Sequence, residues 1–575
     1  MQRFSRVVTT GALLGLLVSL LSACGSSGRP TQVPAASAAA PTAHAAPLVT
    51  AAPLSSGAAP EATMRFAYGA ITGFSLLPGV IAGKIFIDPL YDALVGLDDA
   101  RQLAAGTGFV NAWTVSPDGL AWTLKTRSGL LFHDGSGATA KDLKYSLDWY
   151  VGPNVVAYAA NSAARARVLK QVDVLDEGTA LATLKTPDLF FLENQLSLGS
   201  DSRSGGYLLS ATYMGAKGFE EAGRRPVGSG PFRYVSDTPN LEVQFEAVAQ
   251  AHWLYGAPRF RTVHFLFIGD DTTRVALLQD GRAHGGIIPR GQAPAFRNGQ
   301  FDLVNAVDER FAYLDIFEQY NPTFASSGAN PLADVRVRQA LSLAIDREAL
   351  AKQHWGGLVT PTVSPLVPRD RAFKSYPVPA QDLAAAKLLL ASAGYPDGFA
   401  LDMDILRAIP GMEEGPQVDA AIAAWWEQLG LKVNRRPLPH ITVVSTAESS
   451  KSFGVPTVTG VWWGPPSSPY AGFPPNTSFA SLGYTGNPGI HTTEDKDLAE
   501  LSLHLAQARS IEEYVRLSQR SADLVVERVT VLPLAYGGAV YAVRKGYGGE
   551  RWKLGKQTIS LNLVALLSGR GELVR

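Results

Sequence analysis

Histidine is the residue type that most often provides metal ligands and catalytic bases, and the chain of 575 residues contains nine of them. None stands in an H-E-x-x-H arrangement or in a close pair; they lie at positions 44, 133, 252, 264, 284, 354, 440, 491 and 504. A metal site would have to be assembled from distant parts of the chain. We therefore expect no bound metal and no other cofactor.

His133 and Asp134 could imitate two members of a catalytic triad, which also requires an activated serine. No such serine is recognisable nearby, and the flanks of Ser229 lack the spacing of a nucleophile elbow. A structural role for His133 and Asp134 in a turn is the favoured interpretation. The sequence thus shows no recognisable catalytic triad at these residues.

Cys24 is the only cysteine in the chain and follows a basic N-terminus and an apolar run over residues 11–21. That run has the length of a signal-peptide core and is short for a membrane span. The sequence L-S-A-C ending at Cys24 resembles a bacterial lipobox, whose cysteine carries the lipid. We expect residues 1–23 to be a lipoprotein signal peptide; a plain secretory signal with an accidental cysteine is the alternative.

Residues 24–62 are rich in Ala, Pro and Ser and contain few large apolar side chains, so we expect the lipidated Cys24 to be followed by a disordered tether. The whole chain has 51 Lys plus Arg and 51 Asp plus Glu, which gives a formal net charge of +0. This balance argues for neither a nucleic acid nor a polyanionic partner. The length requires more than one core, which two or three domains or one two-lobed body would provide.

The elements that would hold a site are clearest in residues 113–150. Pro-Asp-Gly from residue 117 predicts a turn, and the alternation that follows predicts a half-buried strand over residues 120–126. Thr139 is a predicted helix N-cap with Asp142 three residues later. The apolar positions after it repeat at intervals of three and four, which predicts a helix. A first strand is expected over residues 64–68.

The same stretch reads W-T-V-S-P-D-G-L-A-W-T-L-K-T-R-S-G-L-L-F-H-D-G-S-G-A-T-A-K-D-L-K-Y-S-L-D-W-Y. It closely resembles the segment that marks the extracytoplasmic solute-binding proteins of peptide-type ABC importers, the family of oligopeptide-, dipeptide- and nickel-binding proteins. Leu124 and Thr126 depart conservatively from the family pattern. The P-V-G-S-G-P-F run from Pro226 and the D-V-R-V-R-Q-A-L run from Asp334 resemble further family motifs.

Residues 382–433 predict helix, strand, helix and strand with short links, hence a βαβ unit in a mainly parallel sheet. The resemblance extends from about Met64 to about Gly546 and implies an α/β, two-lobed periplasmic-binding-protein fold of type II, in the peptide-binding cluster. The first lobe is expected to be discontinuous, with an extra subdomain, and to contain residues 63–312 and 530–575, the subdomain being about 93–225. The second lobe is expected to span residues 313–529.

Residues 460–469 read G-V-W-W-G-P-P-S-S-P and resemble the family's W-x-x-D-Y-x-D-P region, from which peptide binders supply an Asp that holds the ligand's α-ammonium. Proline occupies the position of that Asp in either of two alignments. The resemblance implies ligand contacts at Trp462, Trp463 and Gly464, to which we add Phe74. Because a buried ammonium without a carboxylate is costly, the ligand either lacks a free amino terminus or meets an acid elsewhere. Simple packing of both tryptophans between lobes is the alternative.

The resemblance implies capture of an extracytoplasmic solute, a peptide in the first instance, and its delivery to an ABC permease with cytoplasmic ATPases. A non-peptide solute, such as a nickel complex or an oligosaccharide, is the first alternative. A secreted lipoprotein hydrolase and a non-transport receptor are further alternatives. We expect a monomer, lipid-anchored at the extracytoplasmic face of the bacterial cytoplasmic membrane.

Overall fold

Strands and helices alternate along most of the chain. The computed structural model describes residues 61–548 except 70, 72–74, 79–85, 98–102, 153–165, 167, 193–205, 306–309, 318, 320–322, 325–327, 369, 408–413, 440–454, 461 and 465–494. The strands are β1 Glu61–Tyr68, β2 Gly96–Leu97, β3 Leu103–Ala104, β4 Val110–Val115, β5 Ala121–Thr126, β6 Leu169–Asp176, β7 Thr179–Leu184, β8 Phe232–Thr238, β9 Glu242–Ala247, β10 Phe260–Phe267, β11 Gly285–Ile288, β12 Phe301–Asn305, β13 Arg310–Asp315, β14 Thr323–Phe324, β15 Gly328–Ala329, β16 Thr360–Pro361, β17 Ala400–Arg407, β18 Lys432–Pro439, β19 Thr457–Thr459, β20 Trp462–Gly464, β21 Val531–Gly537 and β22 Val540–Arg544. The helices are α1 Ala140–Val151, α2 Ala211–Arg224, α3 Asp271–Gln279, α4 Val335–Leu343, α5 Arg347–Gln353, α6 Leu383–Ser392, α7 Gly415–Glu427, α8 Lys496–Gln507 and α9 Ile511–Arg528.

A seven-stranded sheet, in the order β12-β22-β11-β1-β10-β9-β8, forms the larger part of the N-terminal half. The predicted first strand is confirmed as β1, which is parallel to both β10 and β11. Phe66 and Ala67 of β1 are both fully buried and belong to different apolar clusters. Because adjacent strand residues point to opposite faces, this sheet is covered on both sides.

A second, antiparallel sheet in the order β4-β5-β7-β6 packs with α1. The predicted alternation is confirmed in β5, where Trp122 and Leu124 are buried and Lys125 is exposed. The predicted N-cap is also confirmed. The Thr139 hydroxyl accepts a hydrogen bond from the N–H of Lys141, and Asp142 accepts one from the N–H of Thr139, which completes a capping box.

The P-V-G-S-G-P run lies directly under the main chain of Pro89 and Leu90. A Cβ atom on Gly228 would come within 1.9 Å of the Leu90 carbonyl oxygen, and one on Gly230 within 2.4 Å of the Pro89 carbonyl oxygen. Only glycine allows the two backbones to approach so closely. The glycines of this motif are therefore required for packing.

The C-terminal half contains the predicted βαβ unit, since β17 is parallel to β18 with α7 between them in the chain. β19 adds to β17 in parallel, which makes a three-stranded parallel sheet. The prediction of a mainly parallel sheet is confirmed for this unit. The second half also contains an antiparallel sheet that the sequence did not predict, in the order β16-β21-β13-β20, whose members come from four distant parts of the chain.

The chain crosses twice between the seven-stranded sheet and this antiparallel sheet. The neighbouring strands β12 and β22 of the first continue into β13 and β21, which are neighbours in the second. We call residues 61–305 and 540–548 the first lobe and residues 310–537 the second lobe, both within the compact unit Ala45–Arg575. The boundaries predicted from the sequence lie near these crossings and stay a prediction.

Candidate functional site

The run predicted to contact the ligand forms β20, next to the strand by which the chain enters the second lobe. Trp462 pairs with Tyr313 and Trp463 with Ala312, and Gly464 pairs with Phe311. β20 is the outermost described strand of its sheet. The other two predicted site residues, Phe74 and Cys24, lie outside the described part of the chain.

Strand β13 and the residues after it have two different faces. Leu314 and Ile316 are buried in the core of the second lobe. Tyr313 and Phe317 belong to another apolar cluster, which also contains Phe190 of the first lobe. The second face of β13 therefore belongs to a cluster that includes residues of both lobes.

Asp315 lies between Tyr313 and Phe317 and shares their face by the two-residue period of a strand. Its N–H donates a 2.8 Å hydrogen bond to the hydroxyl of Thr459. Its carboxylate oxygen Oδ1 is buried and has no hydrogen-bond partner in the described part of the chain. Burial, without a compensating cation, raises the pKa of Asp315 to about 7.

The first lobe contacts this side of the second lobe through Phe190. Its ring meets that of Tyr514 on α9 edge-on, with 4.5 Å between centroids, and both residues are buried. The carboxylate of Asp188 accepts a 2.8 Å hydrogen bond from the N–H of Phe190. Burial raises the pKa of Asp188 to about 6. The two lobes are thus in contact away from the crossings.

A buried ion pair joins the lobes beside the crossings. The guanidinium of Arg290, in the first lobe, lies 3.3 Å from the carboxylate of Glu414, just before α7 in the second. The same guanidinium donates hydrogen bonds of 3.1 and 2.7 Å to the carbonyl of Gly538, in the segment between β21 and β22. Nearby, the Asn305 amide donates to the Leu358 carbonyl at 2.8 Å.

The residues that could imitate a catalytic site make structural bonds. The ring of His133 contacts the Gly230 carbonyl at 2.9 Å, and burial lowers the pKa of His133. The carboxylate of Asp134 accepts a 2.6 Å hydrogen bond from the Ser136 hydroxyl, as expected in a turn. No group of His, Cys, Asp and Glu side chains in the described ranges is arranged to hold a metal ion.

The guanidinium of Arg338, in the D-V-R-V-R-Q-A-L run, donates to main-chain carbonyls at Leu332, Ala333, Arg528 and Val529. This side chain is buried and ties α4 to the segment after α9. These bonds give Arg338 a structural role.

Residues 107–482 match the family model of the bacterial extracellular solute-binding proteins, family 5. The chain belongs to this family. The glutathione-binding protein GsiB of Pectobacterium atrosepticum is 32% identical over 315 residues, which is 54% of this chain and 56% of GsiB. The chain thus matches about half the length of this curated relative of family 5.

Solved structures show the same fold at lower identity. The periplasmic binding protein DppA of Helicobacter pylori, in complex with the peptide STSA, is 19% identical, with a TM-score of 0.66 and coverage of 84% of this chain and 95% of DppA. MoaA of A. tumefaciens R10, in complex with mannopinic acid, is 20% identical, with a TM-score of 0.68 and coverage of 88% and 99%. The fold is that of type II periplasmic binding proteins in the peptide-binding cluster, as predicted.

Sequence reasoning proposed the Trp462 run, which stays a prediction, and did not single out Asp315, Phe190 or the Arg290–Glu414 pair. The available signal for Asp315 was an acid inside the otherwise apolar run F-A-Y-L-D-I-F of residues 311–317. Among the described helices, none is both long enough and apolar enough to cross a bilayer.

Proposed function

We propose that this family 5 protein captures a short peptide between its two lobes and delivers it to the permease of an ABC importer. The observation that carries the proposal is the paired crossing, in which β12–β13 and β22–β21 are the described strands that join the lobes. Two adjacent crossing segments allow one lobe to rotate against the other as a hinge. Closure by such a rotation encloses a solute.

The position of β20 supports a peptide as the solute. An outermost strand offers main-chain N–H and C=O groups to which an extended peptide can add as a further strand. Trp462, Trp463 and Gly464, together with Phe74, stay the proposed ligand contacts. The relative GsiB and the neighbour DppA, which bind glutathione and a peptide by their names, support the same class.

Membrane attachment is a second part of the proposal. The lipobox-like sequence at Cys24 supports a lipid anchor on the extracytoplasmic face of the membrane, with residues 25–62 as the tether. A monomer held in this way would meet the permease without a separate docking partner.

A binding screen tests the proposed function. The full chain, in detergent, is mixed with glutathione, the peptide STSA, mannopinic acid, a nickel–histidine complex and a set of oligosaccharides, and native mass spectrometry identifies the bound species. Calorimetry then gives the affinities. We expect a peptide to bind most tightly and Trp462→Ala to weaken it.

A non-peptide solute is the second candidate, favoured by the similarity to MoaA with its opine ligand. Retention of mannopinic acid or the nickel complex in the screen, with no peptide bound, would replace the peptide proposal by this one.

A further inference from the structure

Asp315 is a half-buried residue whose carboxylate has no cationic partner among the described residues. Its Oδ1 atom is buried and accepts no hydrogen bond from that part of the chain. By contrast, the buried Asp404 of the same lobe lies 2.7 Å from the guanidinium of Arg436, and Glu414 is paired with Arg290. Because an isolated buried carboxylate is costly, natural proteins usually pair such groups.

The main chain of Asp315 is held on both sides. Its N–H is bonded to the Thr459 hydroxyl, and the residue pairs with Val531 of β21. Burial is the cause of the raised pKa, with no lowering contribution from a positive group. A ligand with a cationic group would meet an acceptor for which the described residues offer no competing partner.

The position of Asp315 connects it with the proposed ligand contacts. It lies two residues beyond Tyr313, which pairs with Trp462 on the neighbouring strand. It shares a face with Tyr313 and Phe317, whose apolar cluster also includes Phe190 of the first lobe. A solute enclosed between the lobes beside β20 would therefore lie close to this carboxylate.

We propose that Asp315 binds the ammonium group of the ligand, in place of the acid that residues 460–469 lack. This inference rests on the proposed function, since it specifies the ligand as a peptide-type solute with a free amino group. The pairing removes two unfavourable situations at once: a buried carboxylate without a cation and a buried ammonium without an anion. It selects the second of the two alternatives left open by the sequence.

The test compares free and N-blocked forms of the same compounds. Calorimetry at pH 7 measures STSA, N-acetyl-STSA, glutathione and N-acetylglutathione against the full-chain wild type and the Asp315→Asn variant. Asp397→Asn is the matched control, because it removes the same charge from an exposed site in the same lobe. The asparagine variant keeps the shape of the side chain and removes only its charge.

We expect the wild type and Asp397→Asn to bind a free form about tenfold or more tightly than its acetylated form. Asp315→Asn should lose about tenfold or more in affinity for the free form and leave the acetylated form unchanged. An unchanged preference for the free form in Asp315→Asn would overturn the inference and leave the proposed function intact. Failure of the wild type to bind any of the four compounds would overturn both.

Discussion

The main-chain N–H of Arg290 donates a 2.7 Å hydrogen bond to the carboxylate of Glu414, so that one residue of each lobe holds the other beside the crossings. The Arg290 guanidinium also binds Glu414 and the carbonyl of Gly538, which lies in a crossing segment. The side chains of Arg290 and Glu414 are only 2% and 10% exposed. In the hinge proposed above, this buried contact would stay in place while the lobes rotate.

Breaking that pair should destabilise the protein strongly. Glu414→Leu leaves the Arg290 guanidinium buried without its anion, and we expect the free energy of unfolding to fall by about 3 to 5 kcal/mol. Asp280→Asn is the control, since it breaks the Arg282–Asp280 pair, whose side chains are 66% and 59% exposed, and should change stability by less than about 1 kcal/mol. Urea unfolding measures both. Equal, small losses would contradict the role given to Glu414.

Gly228→Ala should be among the most damaging single substitutions in the first lobe. Its Cβ would lie 1.9 Å from the Leu90 carbonyl oxygen, so the main chain of one segment must move. We expect a loss above about 4 kcal/mol, or no folded product. Gly215→Ala, in helix α2 with nothing within 4 Å of its added Cβ, should instead gain about 0.5 to 1 kcal/mol. Thermal unfolding of both variants decides, and a tolerated Gly228→Ala would refute the packing argument.

Local patterns predicted local structure well in this chain. The capping box of Thr139 and Asp142 and the buried alternation of β5 depend on residues close together in sequence. The antiparallel sheet of the second lobe does not, because β13 pairs with β21, more than two hundred residues later, and with β20. The spacing of apolar residues along the sequence does not predict which distant strands pair.

The same distinction between local and long-range information applies to the candidate site. The family resemblance pointed to Trp462, but its neighbour Tyr313 follows only from strand register in three dimensions. The sequence likewise shows an acid at Asp315 in an apolar run. That the described residues give its Oδ1 atom no partner depends on which groups the fold brings around it. A sequence shows which polar residues lie in apolar runs, but it does not show which hydrogen-bond partners they have in the folded protein.

Lipid anchoring at Cys24 is directly testable. Labelling of expressing cells with a fatty acid should mark the wild type and leave Cys24→Ser unmarked and unprocessed. The reason is that the sulfur atom of Cys24 receives the lipid. Since Cys24 is the only cysteine, the variant removes every thiol from the chain. An unlabelled, freely soluble wild type would refute the anchor.

The contact between Phe190 and Tyr514 should stabilise the arrangement in which the lobes meet. A double-mutant cycle with Phe190→Ala and Tyr514→Ala should give a coupling free energy of about 0.5 to 1.5 kcal/mol, as expected for an edge-on aromatic pair. Phe190→Ala should also speed ligand release, measured by stopped-flow. Leu175→Ala, at an exposed position of the same lobe, serves as the control and should change neither quantity. A coupling free energy near zero would mean that the contact between the two rings contributes nothing measurable to stability.

Stability should decrease as the pH rises through neutrality. Burial raises the pKa of Asp315 to about 7 and that of Asp188 to about 6, whereas an Asp of the unfolded chain titrates near its ordinary value of about 3.9. Between the unfolded and folded values the folded protein holds a proton that the unfolded chain has released, so the free energy of unfolding falls with rising pH. The contribution of Asp315 is at most about 4 kcal/mol, at about 1.4 kcal/mol per pKa unit.

Urea unfolding of the ligand-free protein between about pH 4 and pH 8 measures this slope. Asp315→Asn should lose the larger part of the decrease above pH 6, because Asp188, with a pKa of about 6, is already half titrated there and asparagine has no proton to release. Asp397→Asn should keep the wild-type slope, since its site is exposed. The contrary result is a free energy of unfolding of Asp315→Asn that changes with pH as steeply as that of the wild type. That result would show that the Asp315 carboxylate is solvated or paired in solution. The ammonium site proposed for it would then lose its physical basis.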